Sequence, residues 1–171
     1  MSPYSWGSAC GRCQTEDMTI ELVTFPAQEL PGWLENQRAE YRAHRIEAGD
    51  DEETATRRAD DSQATYFAGG RPAAGHDVFA VLEAGERIGV LWVGPHPDGL
   101  DGVAWVWDIE IDAAQRGKGF GRATMRAAEE WARDAGYESL ALNVFGFNTV
   151  ARSLYESMGF ETTSLQMRKA L

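Results

Sequence analysis

From Met18 to Phe25, "MTIELVTF", apolar and polar positions alternate, the pattern of a strand with one face covered. Pro26 and Pro31 then bracket the start of a helix. Trp33, Leu34, Gln37, Tyr41, His44 and Arg45 recur at helical spacing, and Gly49 is the stop signal. In "DDEETATRRADDSQATYF" acids precede bases, which suits the helix dipole and predicts a second helix from about Glu52 to Phe67. Gly69 to Gly75 reads as a loop. "DVFAVLE" and "RIGVLWVG", separated at Ala84-Gly85, predict a β-hairpin. A wider turn, Pro95 to Gly102, leads into a strand from Val103 to Asp112.

A helix from about Gly119 to Ala135 follows, with Phe120, Ala123, Ala127, Ala128 and Trp131 on one side and Gly136 at its end. "YESLALNVF" reads as a strand. Asn148 can cap a short helix carrying Val150, Ala151, Leu154 and Met158, and "FETTSLQMRKAL" closes the chain as a strand. The order β-α-α-β-β-β-α-β-α-β predicts an α/β fold class, a mixed sheet with helices on both faces.

A chain of 171 residues with 43% apolar residues fits one globular domain, here 18–171, behind a Gly/Ser-rich leader, Met1 to Asp17, that reads as disordered. There is no long apolar run and no signal pattern, so no membrane partner and a cytoplasmic location are expected. The net charge of -11 argues against a nucleic-acid partner, because phosphate backbones need a broad basic face. It suits a cationic small molecule. Cys10 and Cys13 form a CxxC pair in the leader and read as free thiols. His44, His76 and His96 are scattered, so no metal site is expected.

Against this acidity stands "DIEIDAAQRGKGFGRATM", Asp108 to Met125. Arg116, Lys118, Arg122 and the following Arg126 lie in a stretch that no acid interrupts between Ala113 and Ala128. A Walker A loop fails because Asp112 occupies the first glycine's place and Gly119 follows the lysine. Gly117, Gly119 and Gly121 give G-x-G-x-G, one residue short of the dinucleotide fingerprint. The shared physics still applies. A glycine turn lets successive main-chain N–H groups converge on an anion, and the helix that starts there adds free N–H groups and its positive end. A pyrophosphate suits such a turn; a strand-to-helix turn with solvated basic residues is the alternative.

Arg116-Gly117-Lys118-Gly119-Phe120-Gly121 fits the [Q/R]-x-x-G-x-[G/A] signature of the GNAT superfamily of N-acetyltransferases. About thirty residues on, "NTVARSLYESMGF", Asn148 to Phe160, resembles that family's N-x-x-A-x-x-x-Y-x-x-x-G-F landmark. "DIEID" matches its apolar-x-apolar strand at Ile109 and Ile111. The resemblance covers roughly Val103 to Phe160 and fades to element order before that. It implies a GNAT-like acyl-CoA N-acyltransferase fold and acetyl-CoA as cosubstrate. Ile109 to Ile111 would hold the acetyl and pantetheine end, on a strand that splays from the next. Arg116, Gly117, Lys118, Gly119, Phe120, Gly121 and Arg122 would hold the pyrophosphate. Asn148 would lie near the pantetheine arm and Tyr155 near the sulfur.

Acetyl transfer to an amine needs a neutral nucleophile, fixed donors for the oxyanion and a proton for the leaving thiolate. A phenol suits the last role, which the resemblance gives to Tyr155. Asp108 and Glu110 share one strand face by alternation, opposite Trp107, Ile109 and Ile111, and either can serve as base or bind the substrate ammonium. Many family members carry a glutamate earlier on this strand; that place is near Trp105 here. The first two helices would shape the acceptor pocket, where Asp50, Asp51, Glu52, Glu53, Asp60 and Asp61 form solvated faces or steer a cationic amine. Trp92, Trp105 and Trp107 would line an apolar or cation-binding wall, or pack in the core. The expected reaction is transfer of acetyl to a primary amine of a small molecule or peptide in a ternary complex. A non-catalytic acyl-CoA sensor and a different phosphate-ligand enzyme remain alternatives. A homodimer is the default assembly.

Overall fold

The structure, a computed structural model, describes residues 19–169. The leader expected over Met1 to Asp17, with Cys10 and Cys13, lies outside the described residues. Five strands form one sheet in chain order: β1 (Ile20–Thr24), β2 (Asp77–Glu83), β3 (Glu86–Pro95), β4 (Val103–Ile111) and β5 (Ser139–Leu142). β1 to β4 are antiparallel neighbours, and β5 joins β4 in parallel. Four helices accompany them: α1 (Leu30–Glu47), α2 (Glu52–Tyr66), α3 (Phe120–Asp134) and α4 (Thr149–Ser157).

Local chemistry sets the element ends. Pro31 sits in the first turn of α1, where its missing N–H costs nothing. Asp51 caps α2 by accepting from the Thr54 N–H at 2.8 Å, and Asn148 caps α4 by accepting from the Ala151 N–H at 3.1 Å. The β2–β3 hairpin turns through Ala84 (φ 49°) and Gly85 (φ 81°), both in the left-handed region that a two-residue turn of matching twist requires.

The sheet has a core on each face. On one, Phe25, Trp33, Phe67, Val78, Ala80 and Trp92 pack with Leu34 of α1 and Tyr66 of α2. On the other, Val81, Leu91, Val93, Val106, Phe120 and Met125 pack with Tyr155 of α4. Val81, Leu91, Val93 and Met125 are fully enclosed, each side chain contributing about 1.5–3 kcal/mol.

Two expectations need correction. The closing strand over Phe160 to Leu171 is not formed in the described residues, because 161–169 hold no strand. Phe160 packs against Tyr155, but beyond it Leu165 is 74% and Met167 89% exposed, while Arg168 donates to the Gly49 carbonyl. The strand expected over "YESLALNVF" shrinks to Ser139–Leu142, since β4 departs from it.

Candidate functional site

The departure of β4 has a visible cause. Trp92 lies opposite Asp108 and Val93 opposite Val106, so Trp107 is an extra residue, a β-bulge. A bulge bends its strand and ends pairing. Pairing with β5 indeed stops at Val106–Leu142, and β4 runs on to Ile111 with its β5-side edge open. The bulge also corrects the face assignment. Ile109 and Ile111 pack in the α3 core, but Trp107 turns to the opposite side and stacks on Trp92, ring centroids 5.2 Å apart at 20°.

Beyond the open end of β4, the glycine loop leads into α3. Gly117 (φ 76°) and Gly119 (φ 90°) hold left-handed conformations that a β-carbon disfavours. Among the described residues, the main-chain N–H groups of 117–121 donate to no partner; the first helical bonds, from Arg122 and Ala123, both run to the Gly119 carbonyl. That leaves five consecutive donors at the positive end of a fifteen-residue helix. Phe120 buries its ring in the core. Gly121 serves packing: a β-carbon there would come within 3.3 Å of Leu154 on α4.

The basic side chains shape the loop. Arg116 donates from Nε to the Ile111 carbonyl at 2.8 Å, tying loop to strand end. Lys118 reaches Gln115 at 2.8 Å, and Arg122 reaches Ser157 at 2.6 Å, joining α3 to α4. None of these three forms an ion pair among the described residues, so their charge stays available to an anion. Asn148 uses its side chain to cap α4.

Around the opening, the charges of four carboxyl groups bear on Asp108, Glu110 and the Tyr155 phenol. Burial pushes Asp108 up to about 7, helped by the charges of Glu110 and Glu40. Burial also raises Glu110, with Glu40 and Asp112 adding to the rise and Arg116 opposing it. Tyr155, 9% exposed, is pushed up to about 12 by burial and by Asp108. Glu40, on α1, is the member that sequence reasoning missed. No spacing pattern marks it, because only packing brings α1 over β4.

The acids of α2 do something plainer. Asp50 pairs with Arg45 at 2.7 Å and Arg58 at 3.5 Å, Glu52 pairs with Arg42, and Asp60 with Arg38. These pairs lace α2 and its N-terminal turn to α1, and Asp51 is the α2 cap. Of the three tryptophans, Trp92 is core, whereas Trp105 and Trp107 keep accessible surface.

Among the described residues, no helix is long and apolar enough to cross a membrane, and no group of His, Cys, Asp and Glu is arranged to hold a metal. The model of the acetyltransferase (GNAT) family matches residues 32–160. The chain is 28% identical to the uncharacterized N-acetyltransferase YycN of Bacillus subtilis, over 90% of this chain and all of that one. Its crystal structure superposes with a TM-score of 0.81, covering 90% of this chain and 99% of that one. Identity to the uncharacterized N-acetyltransferase YdgE of the same organism is 32%, over 70% of this chain and 77% of YdgE. The aminoglycoside N-acetyltransferase AAC(6')-Iy, in complex with CoA, shares the fold at 16% identity and a TM-score of 0.55, over 90% of this chain and 95% of that one. Sequence match, sheet topology and glycine loop agree: the chain belongs to the GNAT family of acetyltransferases, which perform acetyl-CoA-dependent acetylation.

Proposed function

We propose that the protein transfers acetyl from acetyl-CoA to a primary amine by direct attack in a ternary complex. The observation that carries the reading is the open edge of β4 running into five free N–H donors, with Asp108 on one side and Tyr155 on the other. Acetyl-CoA supplies the acetyl group as a thioester. The N–H groups of 117–121 hold the pyrophosphate, and the charges of Arg116, Lys118 and Arg122 surround it. The backbone of Ile109 to Ile111 pairs with the pantetheine arm, whose other side faces Asn148.

The amine arrives as an ammonium and must lose a proton before it attacks. Asp108, with a pKa of about 7, is the base poised for neutral pH; Glu110 and Glu40 favour the ammonium beside it. Nitrogen bonds to the acetyl carbon as the carbon–sulfur bond breaks. Tyr155, protonated throughout the neutral range, gives its proton to the sulfur and recovers one from the departing ammonium protons. Each ammonium acetylated thus yields the free thiol and one proton to solvent.

A screen of primary amines with acetyl-CoA, read by CoA release and by the mass of the product, tests this. Acetylated product that depends on Tyr155 is the expected result. CoA binding with no product across the panel assigns the protein to acyl-CoA sensing instead. Displacement of CoA by ATP or NAD assigns the loop to another ligand.

A further inference from the structure

The face of β4 that carries Trp107 holds two layers of aromatic rings. Trp33, Phe67 and Trp92 form an inner layer, 8%, 6% and 2% exposed, which belongs to the core. Tyr66, His76, Trp105 and Trp107 lie outside it and keep accessible surface. Tyr66 and Trp107 have ring centroids 4.2 Å apart, inclined at 50°. Trp105 and Trp107 stand 6.4 Å apart at 63°. These partly buried rings meet at angles to form an aromatic corner, with His96 packed edge-on against Trp105, ring centroids 4.6 Å apart at 83°.

The corner is rigidly built. Trp107 donates from Nε1 to the Pro95 carbonyl at 3.2 Å. Trp92, on which Trp107 stacks, donates to His76 Nδ1 at 3.1 Å. Gly94 makes room for that imidazole, since a β-carbon there would lie 2.6 Å from Nδ1. Burial lowers the His76 pKa, so the ring stays a neutral acceptor.

The electrostatics favour a cation. Aromatic faces are negative, and a cation over them gains free energy. Among the described residues, cationic side chains cover only Phe145 and Phe25, so none occupies this corner. Burial raises the Tyr66 phenol and the nearby Asp98 carboxylate adds to the rise, and Asp108 follows Trp107 directly in the chain. At about 3.3 Å per strand residue, Trp105 and Trp107 stand roughly 3–10 Å along β4 from Asp108.

We propose that Tyr66, Trp105 and Trp107 form a recess for a second, non-reacting cationic group of the acceptor, making a dicationic alkylamine the preferred substrate. This rests on the acetyltransfer reading above for the position of the reacting nitrogen. The second ammonium docks against the rings while the first sits at Asp108, and only the first is acetylated.

The test compares trimethylammoniobutylamine with its carbon isostere, in which a quaternary carbon replaces the quaternary nitrogen. The two differ in one charge and almost nothing in shape. The wild-type protein should prefer the cation in kcat/KM by about five- to thirtyfold, carried mainly by KM, the factor that about 1–2 kcal/mol of cation–π attraction gives. Trp105→Leu and Tyr66→Leu should each erase most of that preference, and Trp105→Phe should keep most of it. Equal rates for the two amines, or a preference untouched in both leucine variants, overturns the proposal.

Should neither amine be acetylated, acetyltransfer to such amines fails while the recess stays testable by binding. Titration with trimethylammoniobutylamine, followed by tryptophan fluorescence, should show saturable quenching whose apparent affinity Tyr66→Leu, which leaves every tryptophan in place, weakens. No saturable change, or one indifferent to the substitution, refutes the recess itself.

Discussion

Replacing Asp108 by asparagine should make the protein more stable and less active, with a pH dependence that identifies the cause. The fold raises the Asp108 carboxyl from 3.8 to about 7, through burial first and then Glu110 and Glu40. Between those values the native state holds a proton that the unfolded chain has released. Stability therefore falls as pH rises through this window and is level above about 7. At about 1.4 kcal/mol per pH unit the full penalty is about 4 kcal/mol, and about 2–4 kcal/mol allows for water reaching the partly buried carboxyl. Asparagine carries no charge at any pH and escapes the penalty.

For a chain of this size the gain corresponds to roughly 5–15 °C in Tm. Thermal unfolding of both proteins from pH 4 to pH 8 measures it. The two should melt together near pH 4 and diverge steadily to pH 7, with the variant higher. A Tm difference independent of pH between 5 and 8 refutes the argument. In parallel, wild-type kcat/KM should rise with pH to a plateau above about 7, and the variant should lose that rise along with most of its rate.

Gly119→Asp places a β-carbon at φ 90° and a negative charge beside the free N–H groups; CoA affinity by calorimetry should fall at least about tenfold, and unchanged affinity refutes the loop assignment. Tyr155→Phe should lower kcat about a hundredfold while CoA affinity changes far less, and a full rate in the variant moves the acid elsewhere. Gly89→Ala would put a β-carbon 2.1 Å from the Glu110 carbonyl oxygen, a backbone atom that cannot step aside. Urea unfolding should show a loss of about 3 kcal/mol or more, and wild-type stability would contradict the β3–β4 register.

Much of the architecture was legible along the chain. Strand and turn patterns found all five strands that form, helical spacing and charge order found four helices, and the Ala84-Gly85 turn and the Asn148 cap stand where turn and cap chemistry put them. These features are local: a few neighbouring residues and backbone sterics decide them. The glycine loop was legible for the same reason, since left-handed turns and free helix-end donors belong to a short segment.

Tertiary structure decided the rest. Alternation placed Trp107 with Ile109 and Ile111, but one extra residue in the β4 ladder shifts the phase and turns its ring to the other face. That bulge is a property of two paired strands, and its consequences, the open β4 edge and the aromatic corner, are invisible in either strand alone. Glu40 joined the site only because α1 packs over the sheet, and its charge helps raise Asp108 and Glu110. The C-terminal segment had the alternation of a strand, yet beyond Phe160 its Leu165 and Met167 stay exposed and no strand forms among the described residues. Periodicity determines what a segment can become; burial, register and the charges that converge after folding determine what it does.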